Sequence, residues 1–165
     1  MDSARLDGDF LALLNEYRGA VQRVCRNYAH GIDDREELLQ EIVYQLWRAF
    51  PSYRREAAPI TWIYRIALNT AISALRRRTR RPPHVPLEAT PEPASTPAAG
   101  SDSGQVELYR AMRRLGEVER GLLLCYLDGL SYREIGDVLG ISETNVGARL
   151  SRTRARLQEL VKEGK

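Results

Sequence analysis

Ser131-Tyr132-Arg133-Glu134-Ile135-Gly136-Asp137-Val138-Leu139-Gly140-Ile141-Ser142 is the stretch on which the architecture turns. Ser131 and Glu134 have the spacing of a capping box, so a helix is expected to begin there. Ile135, Val138 and Leu139 form its apolar stripe, and Gly140 supplies the positive φ of a tight C-cap. Ile141 can fill the space between two helices, and Ser142 can cap the second. That second helix places Val146, Leu150, Thr153, Leu157 and Leu160 on one face. Asn145, Arg149, Arg152 and Arg156 repeat the spacing on an adjoining face, while Ser142, Thr144, Ala148 and Ser151 keep the outer side small. A basic face alone fits a solvated helix. Joined to a capped first helix through a glycine turn, it has the form of a helix-turn-helix and points to DNA.

Working outward, the 165 residues allow one domain or two small ones. Residues 82–103 hold six of the eight prolines and no Lys or Arg, which reads as an extended linker. The charge follows the same division: net +4 over residues 1–81, −3 over 82–103 and +2 over 104–165. Two basic parts on an acidic tether suit two contacts on one polyanion. Nearly all of the basic charge is arginine, the side chain suited to bidentate contacts with phosphate and guanine. Residues 1–81 and 104–165 are therefore taken as two small helical domains, and the fold class as all-α.

No apolar run approaches the ~18 residues of a membrane span, and the N-terminus lacks the pattern of a signal peptide. Cys25 and Cys125 stand alone in apolar helical contexts without ligand spacing. Reduced, buried thiols in a cytoplasmic protein with no metal or other cofactor are the expectation. A redox role for the two thiols finds no support in the sequence.

The first 81 residues read as helical throughout. One helix is expected from Asp9 to Tyr28, with Phe10, Leu13, Leu14, Tyr17, Val21 and Val24 as its stripe. Gly31 breaks it, and Asp33 or Asp34 can cap a second helix that reaches Phe50. Leu39, Ile42, Val43, Leu46, Trp47 and Phe50 point one way along that helix. Glu37, Gln40, Glu41, Tyr44 and Arg48 point the other way, as on any amphipathic helix with a wet face. Pro51 ends it, and residues 52–59 form a loop.

A third helix runs from Ile60 to Arg80 and ends in a dense arginine run. Ile60, Ile63, Ala67, Thr70, Ala71 and Ala74 form its inner stripe, widened by Tyr64, Leu68 and Leu75. Trp62, Arg65, Asn69, Ser73 and Arg76 project away from that stripe at 3.6 residues per turn. An aromatic beside arginine suits unpaired bases. Packing as a second core contact is the equally open reading of Trp62.

The segments Glu37–Glu41, Leu46–Phe50 and Thr61–Asn69 resemble region 2 of sigma-70 family factors. Gly129–Ile135, Leu139–Ser142 and Arg149–Arg152 resemble region 4. The two in this order, joined directly by a short linker, resemble the extracytoplasmic-function type, and the likeness covers nearly all of the chain outside the linker and the extreme N-terminus. It implies a sigma factor rather than an enzyme: a protein that binds core RNA polymerase and directs promoter-specific initiation.

The resemblance also assigns roles. Glu37, Gln40, Glu41, Tyr44 and Arg48 are the implied contacts with the β′ clamp helices of core RNA polymerase. Arg54, Arg55, Glu56, Trp62, Arg65, Asn69 and Arg76 are the implied −10 contacts, where the family opens promoter DNA and captures a flipped base. Tyr132, Arg133, Ser142, Thr144, Asn145, Arg149 and Arg152 are implied at the −35 element. Leu122, Leu123 and Tyr126 are taken as core or β-flap contacts. An anti-sigma factor covering both domains is the implied antagonist, and the linker is expected to thread near the polymerase active-site channel. Val146-Gly147-Ala148-Arg149 departs from the Val-Lys-Ser-Arg of many members, and Ser73 from a common Asp; both bear on promoter preference. The competing reading is a polymerase-independent helix-turn-helix regulator, which gives the Trp62/Asn69 face no role. A pure protein-interaction module leaves the arginine stripe unexplained.

Overall fold

The structure is a computed structural model that describes residues 3–80 and 103–164. The stretch read as a linker lies outside the described residues except for Ser103, where a helix begins. Eight α-helices and no strands make up the described residues: α1 Ser3–Glu16, α2 Arg18–Tyr28, α3 Gly31–Ala49, α4 Pro59–Arg80, α5 Ser103–Arg113, α6 Glu117–Leu127, α7 Tyr132–Leu139 and α8 Glu143–Glu163. A single 3-10 turn, Phe50–Ser52, follows α3. The all-α expectation holds.

Three boundaries differ from the sequence reading, the first being that the N-terminal helix begins at Ser3 rather than Asp9. The expected helix from Asp9 to Tyr28 is two helices, broken at Tyr17, whose backbone sits at φ −106, ψ 18. Tyr17 belongs to the apolar stripe, so periodicity runs unbroken through a backbone that is not. The next helix starts at Gly31 rather than after Asp33 or Asp34, with Gly31 itself at φ 79 making the turn. Both aspartates then lie in the first turn, where their charge complements the helix dipole without capping it.

The face that α3 buries is also shifted. Leu38, Ile42 and Leu46, four residues apart, are the buried line, whereas Leu39 and Trp47 are 36% and 52% exposed. The apolar residues of α3 form an arc wider than one partner can cover, and the 39/43/47 row is left over.

Helix α4 is the centre of the fold. It packs on α2 and α3 on one side and on α6 and α7 on the other. Thr61, Trp62, Ile63, Tyr64, Ala67, Leu68, Ala71 and Ile72 are therefore all buried. A helix apolar on two sides is one with neighbours on two sides. The buried residues of α2–α4 and α5–α8 form one continuous core.

The contact between the two halves is polar as well as apolar. Arg23 Nη2 donates to both carboxylate oxygens of Asp128, at 2.8 and 2.7 Å, and the Tyr64 hydroxyl donates to the same carboxylate. Thr61 Oγ1 donates to Glu134 Oε2 at 2.8 Å, and Arg76 Nε to Glu117 Oε1 at 2.6 Å. Arg120 Nη1 reaches the Asn27 carbonyl at 2.6 Å with its guanidinium over the Tyr28 ring. Gly121 sits at a close approach between the two halves. A Cβ there would stand 3.1 Å from Tyr28 Oη and 3.2 Å from Leu68 Cδ1.

Both cysteines are buried and free. Burial pushes the Cys25 thiol up to about 11 and raises Cys125 as well. At pH 8 the Cys25 thiolate is then about one part in a thousand. Native protein should react with a thiol reagent orders of magnitude more slowly than urea-unfolded chain; rapid labelling of folded protein would contradict this placement.

Candidate DNA and polymerase interfaces

The helix-turn-helix is built by local hydrogen bonds. Ser131 Oγ accepts from the Glu134 amide at 3.1 Å, while the Ser131 amide donates to Glu134 Oε1 at 3.3 Å, so the capping box is complete. Gly140 sits at φ 71, and the amides of Gly140 and Ile141 both return to the Gly136 carbonyl, at 2.8 and 3.1 Å. Ser142 Oγ accepts from the Asn145 amide at 3.2 Å and starts α8. Val146, Leu150, Thr153 and Leu160 are buried beneath, with Leu157 half-buried beside them.

That seating leaves Ser142, Thr144, Asn145 and Arg152 exposed and Arg149 half-buried along one side of α8. Tyr132, 41% exposed, lies near α8, where a Cβ added at Gly147 would meet its ring at 3.5 Å, and Arg133 is exposed beside it. The seven residues implied at the −35 element thus lie on α7, on α8 and at the Ser142 cap of α8. Leu122 and Leu123 belong to the core, and Tyr126 is half-buried under the Arg154 guanidinium, 5.5 Å from its ring centroid.

The residues implied at the −10 element are more dispersed. Arg54, Arg55 and Glu56 are exposed in the loop before α4, with Arg55 at φ 59. Asn69 is exposed and Arg65 half-buried on α4. Trp62 is only 8% exposed. Its ring stacks on Tyr53 at 4.5 Å and meets Phe50 edge-on at 6.3 Å. Of its two readings, packing is the one the geometry shows. Arg76 is exposed but held by Glu117 from the other half, and Arg78 pairs with Asp34 at 3.0 Å. Glu134 is likewise occupied: hydrogen bonds from Thr61 and then Ser131 hold its carboxyl below the usual carboxylate range.

On α3, Glu37, Gln40, Tyr44 and Arg48 are exposed, and Glu41 is half-buried, accepting from Gln45 at 3.3 Å. Gln40 and Tyr44 do not stand on a purely polar face. They line a groove of about 620 Å³ between α1 and α3 whose walls are Phe10, Leu11, Leu39, Val43 and Trp47. A concave apolar surface rimmed by polar side chains has the form of a contact site. Sequence reasoning placed Leu39 and Trp47 on one apolar face with Ile42 and Leu46 and missed it. The signal was the second row of apolar residues at 39, 43 and 47, offset by one from the buried row at 38, 42 and 46.

Among the described residues no His, Cys, Asp or Glu cluster is arranged to hold a metal ion. No helix among them is long and apolar enough to cross a membrane.

Comparison with known proteins agrees with this layout. Residues 13–81 match the family described as Sigma-70 region 2, and residues 105–157 match Sigma-70, region 4. ECF RNA polymerase sigma factor SigG of Mycobacterium tuberculosis is 28% identical over 92% of this chain, which spans only 48% of SigG. SigM of the same species is 28% identical over 96% of this chain and 82% of SigM. The ECF RNA polymerase sigma-E factor of Escherichia coli is 29% identical over 92% of this chain and 86% of that protein. In fold, the chain superposes on the sigma factor RpoE of Bartonella quintana, solved with the anti-sigma factor NepR, at TM-score 0.69 and 23% identity, covering 94% of this chain and 96% of that one. It superposes on CnrH, solved with the cytosolic domain of CnrY, at TM-score 0.67 and 21% identity, covering 94% and 89%. The family comprises non-catalytic transcription-initiation factors. This chain belongs to it, as a sigma-70 family RNA polymerase sigma factor of the extracytoplasmic-function class.

Proposed function

We propose that the chain binds core RNA polymerase through the α1/α3 groove and directs initiation at promoters read at two points. The N-terminal end of α8 reads the −35 element in the major groove, where a recognition helix places its first residues on base edges. The loop over residues 53–58 and the exposed side of α4, with Arg54, Arg55, Glu56, Arg65 and Asn69, meet the −10 element. Trp62 supports that surface from beneath by holding Tyr53 and the loop in place. Residues 1–81 and 104–165 act as the two reading units. The likeness to sigma factors held by anti-sigma proteins supports control of this chain by a protein antagonist of the same kind.

The observation that carries this reading is the pairing of a capped, basic helix-turn-helix with an exposed apolar groove on the opposite half. A polymerase-independent regulator would need the groove as a dimerisation surface and would leave the Trp62/Asn69 face without a role. The test is run-off transcription with purified core polymerase, followed by start-site mapping of the products. Promoter-specific initiation should appear only with the chain present. Its absence, together with tight duplex binding by the chain alone, would replace this reading with a polymerase-independent regulator.

The groove has its own check. Leu39→Glu with Trp47→Ala removes two of its three exposed apolar walls without opening the core. Core-polymerase affinity should fall by well over tenfold, since buried Trp contacts at interfaces commonly contribute 2 kcal/mol or more. Unchanged affinity would move the polymerase contact elsewhere.

A further inference from the structure

The loop between α3 and α4 is closed by one of its own side chains. Tyr53 Oη donates to the Ala57 carbonyl at 2.7 Å, while the Tyr53 ring lies stacked on Trp62. The Tyr53 amide donates to the Phe50 carbonyl at 3.0 Å, which fixes the loop where it leaves α3. At its other end the Trp62 amide donates to the Ala58 carbonyl at 3.1 Å as α4 begins. Arg54, Arg55 and Glu56 are strung between these fixed points and are exposed. Among the described residues the three have no ion pair, so their charges are uncommitted. Burial pushes the Tyr53 hydroxyl up from its ordinary value, against the pull of Arg55, so it keeps the proton it donates.

Inside that span Arg55 stands at φ 59, the one non-glycine residue with positive φ among the described residues. Glycine takes such a backbone freely, as Gly31, Gly129 and Gly140 do here. For a residue with a Cβ it is disfavoured by roughly five- to thirtyfold. A conformation of this kind persists only where its surroundings hold it. The surroundings here are the Tyr53-to-Ala57 closure: a rigid phenol bridges the two ends and sets the path of the backbone between them.

Resting on the reading of this loop as a −10 contact and deepening it, we infer that Tyr53 is a positioning residue for capture of the unpaired −10 strand. Its hydroxyl clamps the loop, with Arg55 left-handed, in the shape that presents Arg54, Arg55 and Glu56 together. Tyr53 acts through the backbone and need touch no base. Without the clamp the loop relaxes into other shapes, and the DNA must select or order the competent one at the moment of capture.

The test uses holoenzyme reconstituted from the full chain and core polymerase, on a promoter recovered by start-site mapping. Affinity is measured for two fragments: one carrying the −10 element as a premelted bubble, the other ending upstream of it with the −35 element alone. Tyr53→Phe keeps the ring on Trp62 and removes only the hydroxyl bond. It should bind the bubble fragment about fivefold more weakly, the net effect of one hydrogen bond, and bind the −35 fragment as wild type does. In an Arg55→Gly background the same substitution should cost less than about twofold, because glycine needs no clamp to hold a positive φ. Equal costs in the two backgrounds overturn the inference, as does wild-type binding of the bubble by the Tyr53→Phe chain. So does an equal loss on both fragments, which marks a general loss of folded protein. If wild-type holoenzyme initiates at its promoter and gains from the bubble while Tyr53→Phe changes nothing, only the clamp fails. If wild type gains nothing from the bubble, the −10 reading of the loop fails with it.

Discussion

Asp128→Ala should lower the melting temperature and shift the chain from closed to open. The Asp128 carboxylate accepts from Arg23 and from Tyr64, and the two partners contribute unequally. The Arg23 side chain is 38% exposed, so its charge rehydrates when the pair is lost and the pair itself is worth at most ~1 kcal/mol. Tyr64 is fully buried, and its hydroxyl would be left without an acceptor, at a cost of about 1–3 kcal/mol. We therefore expect a loss of about 2 kcal/mol, or about 4–8 °C for a chain of this size. The closed-to-open ratio should fall by up to about 30-fold, read as a larger radius of gyration in solution scattering. In a Tyr64→Phe background the same substitution should cost less than about 1 kcal/mol. Equal costs in the two backgrounds would show that the hydroxyl is not what closes the chain.

The second large effect is at Gly136. A Cβ there would stand 2.6 Å from the Ile141 carbonyl oxygen, a backbone atom of the turn itself. The turn cannot yield without releasing the amides of Gly140 and Ile141 from the Gly136 carbonyl. Gly136→Val should cost about 3 kcal/mol or more and abolish −35 recognition. Gly147 makes the opposite case eleven residues on. A Cβ there meets only the Tyr132 ring at 3.5 Å, an ordinary contact. Gly147→Ala should stabilise α8 by up to about 1 kcal/mol, the helix propensity difference. Urea unfolding of the two variants checks both signs. If both destabilise alike, the turn geometry is not the reason.

Those two glycines also show where the sequence was readable. Ser131, Glu134, Gly140 and Ser142 act through hydrogen bonds to neighbours a few residues away, and local spacing reveals local bonds. Gly136 acts through a turn that folds back on it, and nothing in its own helix marks it. Trp62 looked outward because the segment after α3 was read as a loop with no packing role, whereas its Tyr53, with Phe50, folds over the indole. Arg76 looked free because its partner comes from the far half of the chain: Glu117 lies 41 residues away. On α3 the apolar residues were legible but their division was not. Periodicity gives the width of an apolar arc, and only the packing partners decide which row of it stays open.

The two tryptophans of the chain fall in opposite environments. Trp62 is packed against Tyr53 and Phe50, and Trp47 stands half in water on the α1/α3 groove. Intrinsic fluorescence therefore reads two separate events without a label. Trp47 should shift to the blue when the groove is covered, while Trp62 should keep a blue emission until the core around α4 opens. A Trp47→Phe chain leaves a pure unfolding signal, and a Trp62→Phe chain leaves a pure docking signal.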